Sequence, residues 1–106
     1  MEHNEVWQSI YNSFAKSPRD VITIPKSKKG KWFFVYTQKD GVFIEKGREH
    51  TDACKIKGRR RLEEKKCKEM LDIYYRRCDG QSVAKEAAST TYNQVYWYGI
   101  FAALGI

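Results

Sequence analysis

The sequence predicts an α+β fold in a single domain, residues 1–106. Three observations predict it. Apolar residues recur at helical spacing near the start of the chain. Aromatic and β-branched residues then alternate between Val21 and Lys46. Helical spacing returns after Gly58 and persists to the end. The expected architecture is an N-terminal helix, a three-stranded antiparallel β-meander and a C-terminal helical part. Residues 1–50 would hold the helix and the meander, and residues 58–106 the helical part.

Residues Asn4 to Ser17 read as a short amphipathic helix, with Val6, Trp7, Ile10, Tyr11 and Phe14 on one face. Asn4 is placed to cap it and Ser17-Pro18 to stop it. Val21 to Ile24 is a β-branched run ending at Pro25, followed by the basic turn Lys26 to Gly30. Lys31 to Thr37 forms the second strand, with Trp32, Phe34 and Tyr36 on one side and Phe33 and Val35 on the other. Asp40-Gly41 is a hairpin signal, and Val42 to Lys46 returns as the third strand. Because the second strand is apolar on both faces, the sheet is either covered twice or displays rings to a partner, as RNA-binding sheets do. Helices before and after it favour burial.

Arg48 to Gly58 reads as an irregular connection. A long helix is expected from about Arg59 to Cys78, stopped by Asp79-Gly80. Ser82 would cap a second helix running through Ala88. Thr91 and Gln94 have capping-box spacing for a last helix ending near Leu104. That helix is apolar nearly all round, which fits a core position or a subunit interface built from Trp97, Ile100, Phe101 and Leu104.

Charge is unevenly distributed. Net charge is +7, and eleven of the twenty Lys and Arg fall between Lys55 and Lys85, whereas nothing from Ala87 to Ile106 is charged. A basic tract beside a neutral aromatic segment suits a polyanion partner. Three arginines at a helix N-terminus would oppose the helix dipole, so phosphate contact explains them better than helix stability. The phosphate-binding candidates are Lys55, Lys57, Arg59, Arg60, Arg61, Lys65, Lys68 and Lys85, with Lys28 and Lys29 at the hairpin tip.

Other classes find less support. No apolar run is long enough to span a membrane, and the polar start MEHNEVWQ is not a secretory signal. Three cysteines fit a reducing, cytoplasmic setting. A zinc site from His50, Cys54, Cys67 and Cys78 fails on geometry, since two cysteines eleven residues apart on one helix are roughly 16 Å apart. No metal or cofactor is expected. Glu45, Glu49 and Asp52 beside Lys46 resemble a nuclease cluster only in composition, because Glu45 and Lys46 point to opposite faces of a strand. No enzyme is expected.

From Leu62 onward the order is helix, Gly, short helix, turn, helix. It carries Leu62, Glu69, Met70-Leu71, Ile73-Tyr74, Gly80-Gln81-Ser82, Ala84, Ala87, Ser89-Thr90-Thr91 and Val95. Residues 62–104 thereby resemble the trihelical helix-turn-helix of resolvases, transposases and many regulators. The stretch from Ala87 to Val95 is about two residues shorter than in that pattern. The turn Gly is replaced by Ala88 or Ser89, and the reading helix has no Lys or Arg. The resemblance implies that Thr90, Thr91, Asn93 and Gln94 meet base edges, Asn and Gln being suited to adenine. The order helix, three strands, helix is also similar to double-stranded-RNA-binding domains, and the hairpin with its following helix to integrase arm-binding domains. The function expected is non-catalytic nucleic-acid binding, DNA over RNA, in a small regulatory or mobile-element protein. The alternative is an assembly subunit that dimerises through its last helix.

Overall fold

The structure is a computed structural model that describes residues 3–106. The expected α+β architecture is present, with one additional strand. Helix α1 (His3–Lys16) leads into β1 (Arg19–Ile22), β2 (Trp32–Gln38), β3 (Gly41–Lys46) and β4 (Arg59–Arg61). A 3-10 turn at Glu64–Lys66 precedes α2 (Cys67–Cys78), α3 (Ala84–Thr90) and α4 (Gln94–Ala103). The four strands lie in sequence order, each antiparallel to its neighbour.

The additional strand corrects the expectation of a long helix beginning at Arg59. Leu62 N–H donates to the Val42 carbonyl, and Arg59, Arg60 and Arg61 pair with Glu45, Ile44 and Phe43. An exposed sheet edge accepts arginine readily, since charge there discourages pairing with another chain. The helix starts eight residues later, after the dipole-opposing arginines have been passed.

Strand alternation sorts the sheet into two faces. Val21, Phe33, Val35, Val42 and Ile44 point inward, where they join Val6, Ile10 and Phe14 of α1, Met70 and Ile73 of α2, and Trp97, Ile100 and Phe101 of α4 in one core. Helix α4 packs on β1 and α2, so its apolar surface is used within the protomer. Gly99 makes this contact possible. A Cβ there would lie 2.7 Å from the Ile22 carbonyl oxygen and 3.1 Å from the Phe33 ring. Gly80, at φ +87°, ends α2 as its sequence suggests, with Gly80 and Gln81 N–H donating to the Arg77 and Arg76 carbonyls.

Local caps differ from expectation. Asn93, not Thr91, precedes the first residue of α4, and its carbonyl accepts from Tyr96 and Trp97. Thr91 instead accepts from Asn93 N–H. Val83 rather than Ser82 precedes α3, and no side-chain cap forms there.

This packing sets the cost of substitution at Gly99 and the reactivity of the thiols. Gly99→Ala adds helix propensity, worth up to about 1 kcal/mol. The collision with backbone at Ile22 outweighs that gain, so the variant is expected to lose roughly 1–3 kcal/mol in chemical denaturation. For thiols, Cys54 and Cys67 are buried and Cys78 is exposed. Burial pushes the Cys67 thiol up to about 11 and raises Cys54 as well. Mass spectrometry after native alkylation should find Cys78 modified, with the other two reacting only on unfolding.

Candidate nucleic-acid interface

The outer face of the sheet carries Trp32, Phe34 and Tyr36 from β2 and Phe43 from β3. The expected burial of both faces is met only in part and not by helices: Phe43 is buried, and Trp32, Phe34 and Tyr36 are half-buried. The helices pack on the inner face, and none of these four rings belongs to the core cluster. Phe34 and Tyr36 lie 5.9 Å apart between ring centroids, and Tyr36 and Phe43 lie 5.8 Å apart and stacked.

Planar side chains cover these rings in place of a helix. The Arg48 guanidinium sits 4.3 Å from the Phe34 ring centre and 5.9 Å from that of Tyr36. Arg59 sits 4.4 Å from the Phe43 ring centre. The His50 ring stacks on Trp32 at 3.5 Å, with 6° between planes. Each is held by one polar neighbour: Arg48 donates to Glu45, Arg59 to Gln38, and His50 Nδ1 lies 2.9 Å from Asp20 Oδ2. The Arg48 guanidinium beside Glu45 holds that carboxyl below the usual carboxylate range.

Asp20 organises this cover. Its side chain has no exposed surface, whereas that of His50 is 41% exposed and that of Arg48 is 56% exposed. Asp20 accepts from the backbone N–H of Arg48 and Glu49, and its own N–H donates to Glu49 Oε1. The connection after β3 is thereby tied across the outer end of β1. Burial pushes the Asp20 carboxyl up, but the Arg48 N–H, the His50 ring and the Glu49 N–H outweigh it and hold the pKa below its usual value.

The basic tract is divided among several surfaces. Arg59 and Arg61 share the outer face, and Arg60 points to the helix side, donating to Asn93 Oδ1 at 3.3 Å. Arg61 also donates to the Asp40 carbonyl and borders a cleft of about 590 Å³ with Asn4, Trp7, Glu63, Glu64, Lys65 and Lys68. Lys65 lies 3.8 Å from Glu63. Lys55 and Lys57 are exposed along an extended segment in which Cys54 and Ile56 turn inward. Lys28 and Lys29 border a separate cavity of about 320 Å³ with Arg77, Tyr96 and Tyr98, and Lys29 pairs with Asp52 at 3.1 Å. Lys85 is on α3, which packs mainly on α2 and α4. Arg76 is held by both oxygens of Glu86 and by Asp72.

The base-reading candidates are turned inward or engaged locally. Thr91 and Asn93 are each only 8% exposed, and Thr90 Oγ1 donates to the Glu86 carbonyl. Gln94 is half-buried, while Tyr92, absent from the sequence-derived set, is 93% exposed. Trp97, Ile100 and Phe101 are fully buried in their own protomer, leaving only half-buried Leu104 of the interface set at the surface. The carboxylates Glu45, Glu49 and Asp52 have separate partners, Arg48, the Asp20 N–H and Lys29. Among the described residues no group of three His, Cys, Asp or Glu is arranged to hold a metal, and no helix is long and apolar enough to cross a membrane.

Sequence reading missed Arg48 and Asp20 and weighed His50 only as a zinc ligand. The alternation of Trp32, Phe34 and Tyr36 was the available signal for the face they cover. Comparisons with protein-family models, curated proteins and solved structures gave no match.

Asp20 makes stability depend on acid in a defined direction. Its lowered native pKa contributes stability at neutral pH that is lost as pH falls below the usual carboxylate value, about 4, through the native value. Asp20→Asn should lower stability at pH 7 and flatten the loss below about pH 4. Chemical denaturation across pH 2–7 measures both effects, and parallel profiles for the two proteins would remove Asp20 from this role.

Proposed function

We propose that this protein binds nucleic acid without catalysis, through the outer face of its sheet. The observation that carries the reading is a sheet face that no helix covers, where half-buried Trp32, Phe34 and Tyr36 lie beneath planar Arg and His side chains. Arg48, Arg59 and Arg61 supply positive charge for phosphates, and the rings supply flat apolar surface for bases. Arg61 also borders the cleft with Lys65 and Lys68, where Glu63 and Glu64 offset most of the positive charge.

This moves the contact away from the helix-turn-helix turn. A reading helix needs a polar face to present to a groove. In α4 the exposed positions are Val95, Ala102 and Ala103. The assembly reading loses its main anchors, because Trp97, Ile100 and Phe101 are consumed by the protomer's own core.

The test is fluorescence anisotropy with a labelled oligonucleotide over a salt series. Three cationic contacts predict a log–log slope of about −2 to −3. Reversing charge with Arg59→Glu and Arg61→Glu should weaken binding by at least about tenfold at low salt while circular dichroism stays native. Undiminished affinity in that folded variant would remove the sheet face as the phosphate contact.

A further inference from the structure

We propose that the occupant of the outer sheet face is a single-stranded polynucleotide, held by bases stacking on half-buried Trp32, Phe34 and Tyr36, with buried Phe43 backing them. The inference rests on the nucleic-acid reading above and adds the form of strand that the face accepts.

Geometry favours an open strand. Alternate side chains on a β-strand stand about 6.8 Å apart. That is twice the roughly 3.4 Å spacing of bases in a stacked strand. Rings spaced wider than stacked bases each offer a face to a separate base, which requires a strand whose bases are unstacked from one another. In a duplex the base faces are hidden in the stack, and rings on a sheet reach only edges and backbone. The observed ring separations, 5.9 and 5.8 Å, belong to one connected aromatic surface across β2 and β3.

The existing cover also fits this occupant. Arg48 over Phe34 and His50 over Trp32 are planar groups in face contact with rings, where a base would lie, and Arg59 packs likewise on buried Phe43. The Arg48 side chain is 56% exposed and that of His50 41%, so each has room to swing aside or close over the far side of a base at the cost of its contact with Glu45 or Asp20. Base stacking on a ring is stronger than an exposed cation–ring contact, so exchange of cover for base is favourable. Once displaced, Arg48 and Arg59 stay beside the strand and meet its phosphates. Charge complementarity thus selects a polyanion, and the ring spacing selects its unpaired form.

The experiment compares labelled oligouridylate of about twelve nucleotides, alone and annealed to oligoadenylate. The free strand should bind at least about tenfold tighter and quench tryptophan emission. Trp7 and Trp97 are buried, so the quenching should vanish in Trp32→Leu. Phe34→Leu and Tyr36→Leu retain apolar bulk but remove the ring face, and each should weaken strand binding about fivefold or more with an unchanged melting temperature. Should either variant unfold, the quenching and the strand-to-duplex ratio in the parent protein still decide. Equal or tighter binding of duplex, with leucine variants unaffected and the Arg59→Glu, Arg61→Glu protein inactive, would overturn stacking and leave the nucleic-acid reading standing. Absence of binding to strand and duplex alike at low salt would overturn both.

Discussion

The contact between Gly99 and the backbone of β1 sets the arrangement of the whole molecule. Helix α4 is the most apolar segment of the chain, and it needs close cover on several sides. Without a side chain at Gly99, it settles against the Ile22 carbonyl and the Phe33 ring. That places Trp97, Ile100 and Phe101 under the sheet, where α1 and α2 close around them. The helices are then all committed to the inner face. The outer face of a strand as aromatic as β2 is left to whatever short segments can reach it.

One such segment is the connection after β3, and a buried carboxylate fixes it. Asp20 projects from β1 with its charge fully removed from solvent, which is tolerable only because several donors surround it. Its hydrogen bonds determine where Arg48 and His50 emerge. An exposed arginine–ring contact contributes about 0.5–1 kcal/mol. A base stacked on a ring contributes about 1–3 kcal/mol. The protein thus combines a buried anchor beneath with a more exposed cover above, and in the proposed binding mode the cover is the part that would be exchanged.

Much of the fold was legible because periodicity reports burial directly. Val6, Ile10 and Phe14 announced α1, and the Trp32–Tyr36 alternation announced β2. The expected strand at Val21 to Ile24 was confirmed only as far as Ile22. Strand β4 was hidden because Arg-Arg-Arg has no apolar alternation, and its pairing comes from Val42 and its neighbours on β3. The candidate site was less legible for the same reason. Arg59 and Arg61 were identified as cations, but their shared face depends on strand geometry that the triplet does not announce. Arg48, His50 and Asp20 are brought together by a contact between positions 28 to 30 residues apart. Nothing local in the sequence marks that distance as short. The neutrality of the last helix was visible, yet whether its surface served a partner or its own core depended on how closely Gly99 could approach β1.

The arginine strand has two physical explanations that differ in what they require of its neighbours. Protection of a sheet edge requires charge alone, and lysine at these positions would serve as well. A planar guanidinium adds something lysine lacks, since it stacks on rings and donates in a fixed fork to phosphate. Arg59 uses that plane against Phe43. A strand also places Arg59 and Arg61 on the same side about 7 Å apart, whereas a helix would turn them well away from each other. Edge protection accounts for the charge of β4 but not for the alignment of its outward arginines with an aromatic face that no helix covers. The proposed contact with a polyanion that also carries flat apolar groups would account for both.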